Sequence, residues 1–233
     1  MPPQDETLTR ELAWLREFTP APRRAAETLP SLEGQRVLAV CHLDLKMIPY
    51  FEALVASGAE VRACAANPAT TRDEVAEHLG SLGVTVPARA FDPPERHAAH
   101  LWAAVSAGPT LLSEMGADAS AATRGRLGGV RGGLEATGTG IERLAGLVLA
   151  YPVFNWDEVP IKQGLHNRHL VGLMAANTFL DVTASPSTAR RCSSSGTAPS
   201  GGALQTPPEA SAPWWKSATW TLAPGSPRPT SAL

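Results

Sequence analysis

RVLAVCHLDLKMIPYFEALVASGAEVRACAANP, residues 36–68, spells a strand, a helix and a second strand. RVLAVCH (36–42) is a short apolar run of the kind buried in a sheet. A helical segment over about 45–57 follows, and Gly58 ends it. GAEVRACAANP (58–68) supplies the second strand. The three together form a βαβ unit, which implies parallel pairing and a right-handed crossover. The same alternation continues outward. Thr71 to Leu82 read as a helix with Thr71 as its N-cap, and GVTVPAR (83–89) as a third strand. His97 to Ala107 read as a helix and PTLLSEM (109–115) as a fourth strand. VLAYPVFN (148–155) is a fifth strand, and Ile161 to Leu180 suit a long helix. Upstream, Leu8, Leu12, Leu15 and Phe18 recur at helical spacing over 6–18, and a Pro-rich connector covers 20–30. The expected fold class is α/β, an open doubly wound (Rossmann-like) parallel sheet. Ligands of such sheets sit at the carboxyl ends of strands. His42, Asn67, Glu114 and Asn155 lie at those ends, although polar residues terminate most strands whatever their use.

Composition narrows the function. The formal net charge is −2 with a pI near 6.3, and charges are mixed along the chain. This argues against nucleic-acid partners and anionic membranes. No apolar run approaches the length of about 18 residues that a membrane helix needs. The N-terminus is polar and acidic, unlike a signal peptide, so a cytoplasmic location is expected. Cys41, Cys64 and Cys192 are scattered, without CxxC spacing, and indicate neither a disulfide framework nor a metal site. Near residue 183 the composition breaks. Of the 50 residues from Ala184 to Leu233, 37 are Ala, Ser, Pro, Thr or Gly. The expected organisation is therefore a helix and connector over 1–31, an α/β domain over 32–183, and a low-complexity, disordered tail over 184–233.

Three segments carry a family resemblance. YPVFNWDEVPIKQGLHNRHLVG (151–172) resembles P-A-x-N-V-N-D-S-x-x-K-x-x-x-D-N-x-x-G of the S-adenosylhomocysteine hydrolases. Pro152, Asn155, Lys162 and Asn167 match its Pro, first Asn, Lys and later Asn. GGLEATGTGIERL (132–144) resembles the family's S-E-E-T-T-T-G-V-x-x-L, and residues 32–76 resemble its first βαβ segment. The resemblance implies reversible splitting of S-adenosylhomocysteine into adenosine and homocysteine, with tightly bound NAD oxidising the ribose 3′-hydroxyl. It implies a small-molecule nucleoside substrate and a homo-oligomer. Lys162, His166 and Asn167 are the catalytic candidates it implies, with Lys162 at the 3′-oxygen and Asn167 beside the nicotinamide. His42, Asp44, Glu114 and Glu135 are the substrate-binding candidates, and Thr137 and Thr139 the cofactor-binding ones.

Departures accompany the matches. The family's second motif Glu aligns with Ala136, its Asp after the Lys with His166, and its adenine-gripping Thr with Asp44. Its D-D-G-G-D aligns with Ser113, Glu114, Met115, Gly116 and Ala117. His166 serves as a base or as a solvent-facing helix residue. The pattern suggests a paralogue for a different nucleoside. The family next needs a strand and a glycine-rich dinucleotide turn, which the tail lacks. Reading the third base of each codon with the first two of the next allows V-V-V-G-Y-G-P-V-G-R-G across 193–203. Because Trp has one codon, the same frame forces Val at position 215, Glu at 216 and Asp at 221. An apolar strand ending in Glu about 20 residues past the first Gly is the expected ribose contact. The tail thus reads as an out-of-frame remnant of an NAD domain, the alternative being a natural Ala/Ser/Pro linker. Three readings follow: an adenosylhomocysteinase-like enzyme, inactive without its NAD domain; a non-catalytic nucleoside-binding or interaction protein; or, from the departures above, a free-standing doubly wound domain with unrelated chemistry.

Overall fold

The computed structural model describes residues 4–183 and 220–221. Its chain forms two compact units, Met1–Phe154 with Trp220–Leu233, and Asn155–Thr219. The first unit opens with helices α1 (Gln4–Phe18) and α2 (Pro20–Ala26). There follow β1 (Arg36–Cys41), α3 (Ile48–Ala56), β2 (Glu60–Ala65), α4 (Asp73–Ser81) and α5 (Pro94–Ser106). Next come β3 (Leu111–Glu114), α6 (Asp118–Ala122), β4 (Gly132–Glu135), α7 (Gly138–Ala145) and β5 (Val153–Asn155). The last strand, β6 (Trp220–Thr221), pairs antiparallel with β5, Thr221 opposite Val153. The sheet order is β2-β1-β3-β4-β5-β6, and the first five strands are parallel.

β1 is central because alternate residues are apolar on both sides. Val37, Ala39 and Cys41 enter one core with Leu8, Leu12, Phe51, Val75 and Leu79 from α1, α3 and α4. Leu38 and Val40 enter the other with Leu101, Val105, Leu144 and Tyr151. Parallel sheets are covered on both faces, and this two-sided burial is their signature. β1 pairs with β2 from Arg36↔Glu60 to Cys41↔Ala65, and with β3 from Val37↔Leu111 to Val40↔Glu114. Gly58 (φ +87) turns α3 back toward β2.

The expected doubly wound α/β fold is present, with local differences. The expected strand at 83–89 shrinks to one bridge, Thr85 opposite Arg62. Pro87 has no N–H to extend the ladder. Thr71 does not cap α4. The helix starts after Arg72 without a side-chain cap, while Thr71 donates to the Asn67 carbonyl at 3.4 Å. The helix expected over 45–57 begins as a 3₁₀ turn, Leu45–Met47, capped by Asp44. In the second unit, the helix expected over 161–180 is a π-helix, Lys162–Val171, running into α8 (Gly172–Thr183). Gly132–Glu135, read above only as a motif, is a strand paired with β3. The expectations for 184–219 and 222–233, disorder and the shifted reading included, lie outside the described residues. Among the described residues no helix is long and apolar enough to cross a membrane.

Candidate functional site

Strand ends of the first unit position most of the candidates. His42 follows β1 and is half-buried; its Nδ1 lies 2.7 Å from the Thr70 hydroxyl. Thr70 donates its proton to the Asn67 carbonyl at 3.0 Å, so His42 Nδ1 is the donor. In the neutral ring this leaves Nε2 as an acceptor. Asp44 is occupied locally: it accepts from the Lys46 N–H at 3.0 Å and pairs with the Lys46 ammonium at 3.4 Å.

Glu114 and Glu135 stand opposite each other in the β3–β4 register, both buried. Buried carboxylates persist only with donors, and each has its own set. Glu135 Oε1 accepts from the Gly116 N–H (2.9 Å), the Thr137 N–H (2.8 Å) and the Thr137 hydroxyl (2.7 Å). Its Oε2 accepts from the Ala117 N–H at 2.8 Å. Glu114 Oε1 accepts from the Ala119 N–H at 2.7 Å and the Ser120 N–H at 3.2 Å. Its Oε2 accepts from the Ser120 hydroxyl, which lies 2.9 Å from the Tyr151 hydroxyl. Burial pushes the Glu114 carboxyl above its ordinary range, and the neighbouring Glu135 adds to the rise. These donors are all protein groups. The two carboxylates tie α6 and the start of α7 to the sheet. Ser120 and Tyr151 are not signalled by any spacing in the sequence; the register alone brings them to Glu114.

Thr137 caps α7, accepting from the Gly140 N–H at 3.0 Å, and its one proton goes to Glu135. Thr139 is exposed in the first turn of α7. Ala136 is buried. Of the two cofactor candidates, Thr137 is thus committed to the α7 cap and to Glu135, and Thr139 keeps an exposed hydroxyl. Among the described residues no group of three His, Cys, Asp or Glu side chains is placed to hold a metal.

In the second unit Lys162, His166 and Asn167 come together around a residue the sequence reading missed. Asp157 is buried; its Oδ1 accepts from the Lys162 ammonium at 2.6 Å and from the Asn167 amide at 3.0 Å. His166 Nδ1 lies 3.1 Å from the Asn167 amide oxygen. A π-helix puts residues five apart on one face, which is how Lys162 and Asn167 reach the same oxygen. The signal that identifies Asp157 is a carboxylate five residues before the motif lysine. Asn155 is buried and accepts from the Glu158 N–H at 3.3 Å.

Fold and strand-end residues together define a doubly wound α/β protein with its polar groups gathered at the carboxyl edge of the sheet. The chain matches no protein-family model. It is 31% identical to the S-inosyl-L-homocysteine hydrolase of Methanopyrus kandleri over 183 residues, 74% of this chain and 43% of that protein. It is 29% identical to the adenosylhomocysteinase of Thermococcus kodakarensis over 174 residues, 70% of this chain and 41% of that one. To the adenosylhomocysteinase of Haloquadratum walsbyi it is 31% identical over 187 residues, 75% of this chain and 43% of that one. Identity near 30% over about 70% of the chain is consistent with a divergent, partial member of the adenosylhomocysteinase family. It spans less than half the length of the curated relatives it matches. Among solved structures, an alcohol dehydrogenase superfamily protein from Novosphingobium aromaticivorans overlays 65% of this chain and 44% of its own at 21% identity, with a TM-score of 0.35.

Proposed function

We propose that this chain is an adenosylhomocysteinase-like protein that binds the nucleoside part of an S-nucleosylhomocysteine and does not hydrolyse it unaided. The observation that carries the reading is the meeting of two motif residues, Lys162 and Asn167, on one buried carboxylate oxygen. A solvated helix lysine has no need of such an anchor. The anchored ammonium presents a fixed positive donor suited to a sugar hydroxyl oxygen.

In the family NAD supplies the hydride acceptor, and no protein side chain accepts hydride. The residues proposed to meet the nucleoside include no hydride acceptor, so binding without turnover by these residues alone is the reading. Adenosine and inosine are both candidate nucleosides, because the similar proteins carry both substrate names. A second reading, an interaction protein on the same fold, is favoured by the exposure of Ile161, Leu165, Leu173 and Met174.

Titration of the purified chain with adenosine and with inosine, followed by calorimetry or ligand-observed NMR, tests the first reading. Weak binding lost in Lys162→Ala is expected, with no nucleoside release from either homocysteine conjugate in the presence of added NAD. Release proportional to protein and abolished by Lys162→Ala would make the chain an enzyme. Absence of binding to both nucleosides would leave the interaction protein.

A further inference from the structure

We propose that Asp157 is the positioning residue of Lys162, in the stead of the carboxylate that the family resemblance puts at position 166, where this chain has His166. Two sites for an anion lie within reach of the Lys162 ammonium. One is position 166, close to one turn of the π-helix from the lysine and next to Asn167, whose amide oxygen meets the His166 ring. The other is position 157, five residues before the lysine and outside the helix. The family motif P-A-x-N-V-N places a neutral Asn where Asp157 stands, and an Asp where His166 stands. The negative charge is thus exchanged between the two places, and the cluster keeps one carboxylate for one ammonium.

Geometry supports the exchange. Asp157 Oδ1 receives both the Lys162 ammonium at 2.6 Å and the Asn167 amide at 3.0 Å, and both ion-pair side chains are largely shielded from water. Holding the carboxylate outside the helix frees position 166 for an imidazole. His166 then reaches the cluster only through the Asn167 amide oxygen and otherwise faces solvent. The purpose of the anchor rests on the nucleoside reading of Lys162; the anchoring itself is independent of it.

The chain has three lysines, Lys46, Lys162 and Lys216, so competitive labelling of amines with acetic anhydride, resolved by peptide mass spectrometry, reads Lys162 directly in the full chain without any ligand. In the unaltered chain Lys162 is expected to label well below exposed Lys46. Asp157→Asn is expected to raise the Lys162 rate about fivefold or more, the order expected when a shielded charge-assisted hydrogen bond is lost. Lys46 is expected to keep its rate. Adding His166→Asp to Asp157→Asn is expected to restore most of the protection, which a merely structural Asp157 would not allow. An unchanged Lys162 rate in Asp157→Asn overturns the anchoring, and failure of the double variant to recover overturns the exchange. If Asp157→Asn raises the rates of all lysines through unfolding, His166→Asp alone decides. A second carboxylate within reach is expected to slow Lys162 labelling further, and an equal or faster rate overturns the proposal. Absence of nucleoside binding by the unaltered chain, with labelling as expected, would refute the functional reading and leave this one standing.

Discussion

A β-carbon at Gly140 would overlap the carboxyl group of Glu135. An alanine in a helix ordinarily gains about 1 kcal/mol over glycine. Here Glu135 has no room to yield, because four donors hold it. Overpacking and the broken hydrogen bonds outweigh the propensity, and Gly140→Ala is expected to cost about 3 kcal/mol, read by urea unfolding. Glu114 makes a second prediction, in pH. Its folded pKa is raised above the ordinary 4.5. Between those two values the folded state holds more proton than the unfolded one, so stability falls as pH rises through that window. Glu114→Gln removes the titration. The stability of the variant relative to the parent is expected to grow from about pH 4.5 upward. A difference that stays flat from pH 4 to 8 would place the Glu114 proton elsewhere.

At the scale of elements, the loop after α6 is fixed by Gly125, whose carbonyl accepts from the Ala150 N–H at 2.9 Å. Its φ is +70, and a β-carbon would lie 2.8 Å from the Leu149 side chain and 3.1 Å from the Val148 carbonyl. Gly125→Ala combines left-handed strain with a backbone clash and is expected to cost about 2–3 kcal/mol, measured by thermal unfolding. β1 and β2 are legible in the sequence because burial on both faces demands apolar runs, interrupted within β2 by the half-buried Arg62, and Gly58 marks the turn between them. β4 is not, because GGLE has too little side chain to signal a strand; its neighbours β3 and β5 make it one. VTV at 84–86 signals a strand that Pro87 and the single bridge at Thr85 cut short. The lysine helix is legible as a helix but not as a π-helix, since a pattern of period 3.6 does not resolve a wider turn. Site residues follow the same division. Their types at strand ends are readable, but their partners depend on register. Glu114 and Glu135 face protein donors that no spacing announces, and Asp157 emerges only once Lys162 is placed beside it.

For the whole molecule, the coding DNA offers the most direct test of the tail. Removing or adding one base near codon 183 is expected to restore an open frame with a GYGxVGxG turn, and an early stop codon in that frame would end the idea. The two-layered core has a separate consequence. Cys41 belongs to the layer under α1, α3 and α4, and Cys64 to the opposite layer. Burial pushes their thiols up to about 12 and about 11, so neither reacts while its layer is closed. In a Cys192→Ser background the pair forms a natural set of stopwatches. The rate at which each thiol becomes alkylated under native conditions times the opening of its own side of the sheet. Unequal rates would identify which layer loosens first when the protein breathes.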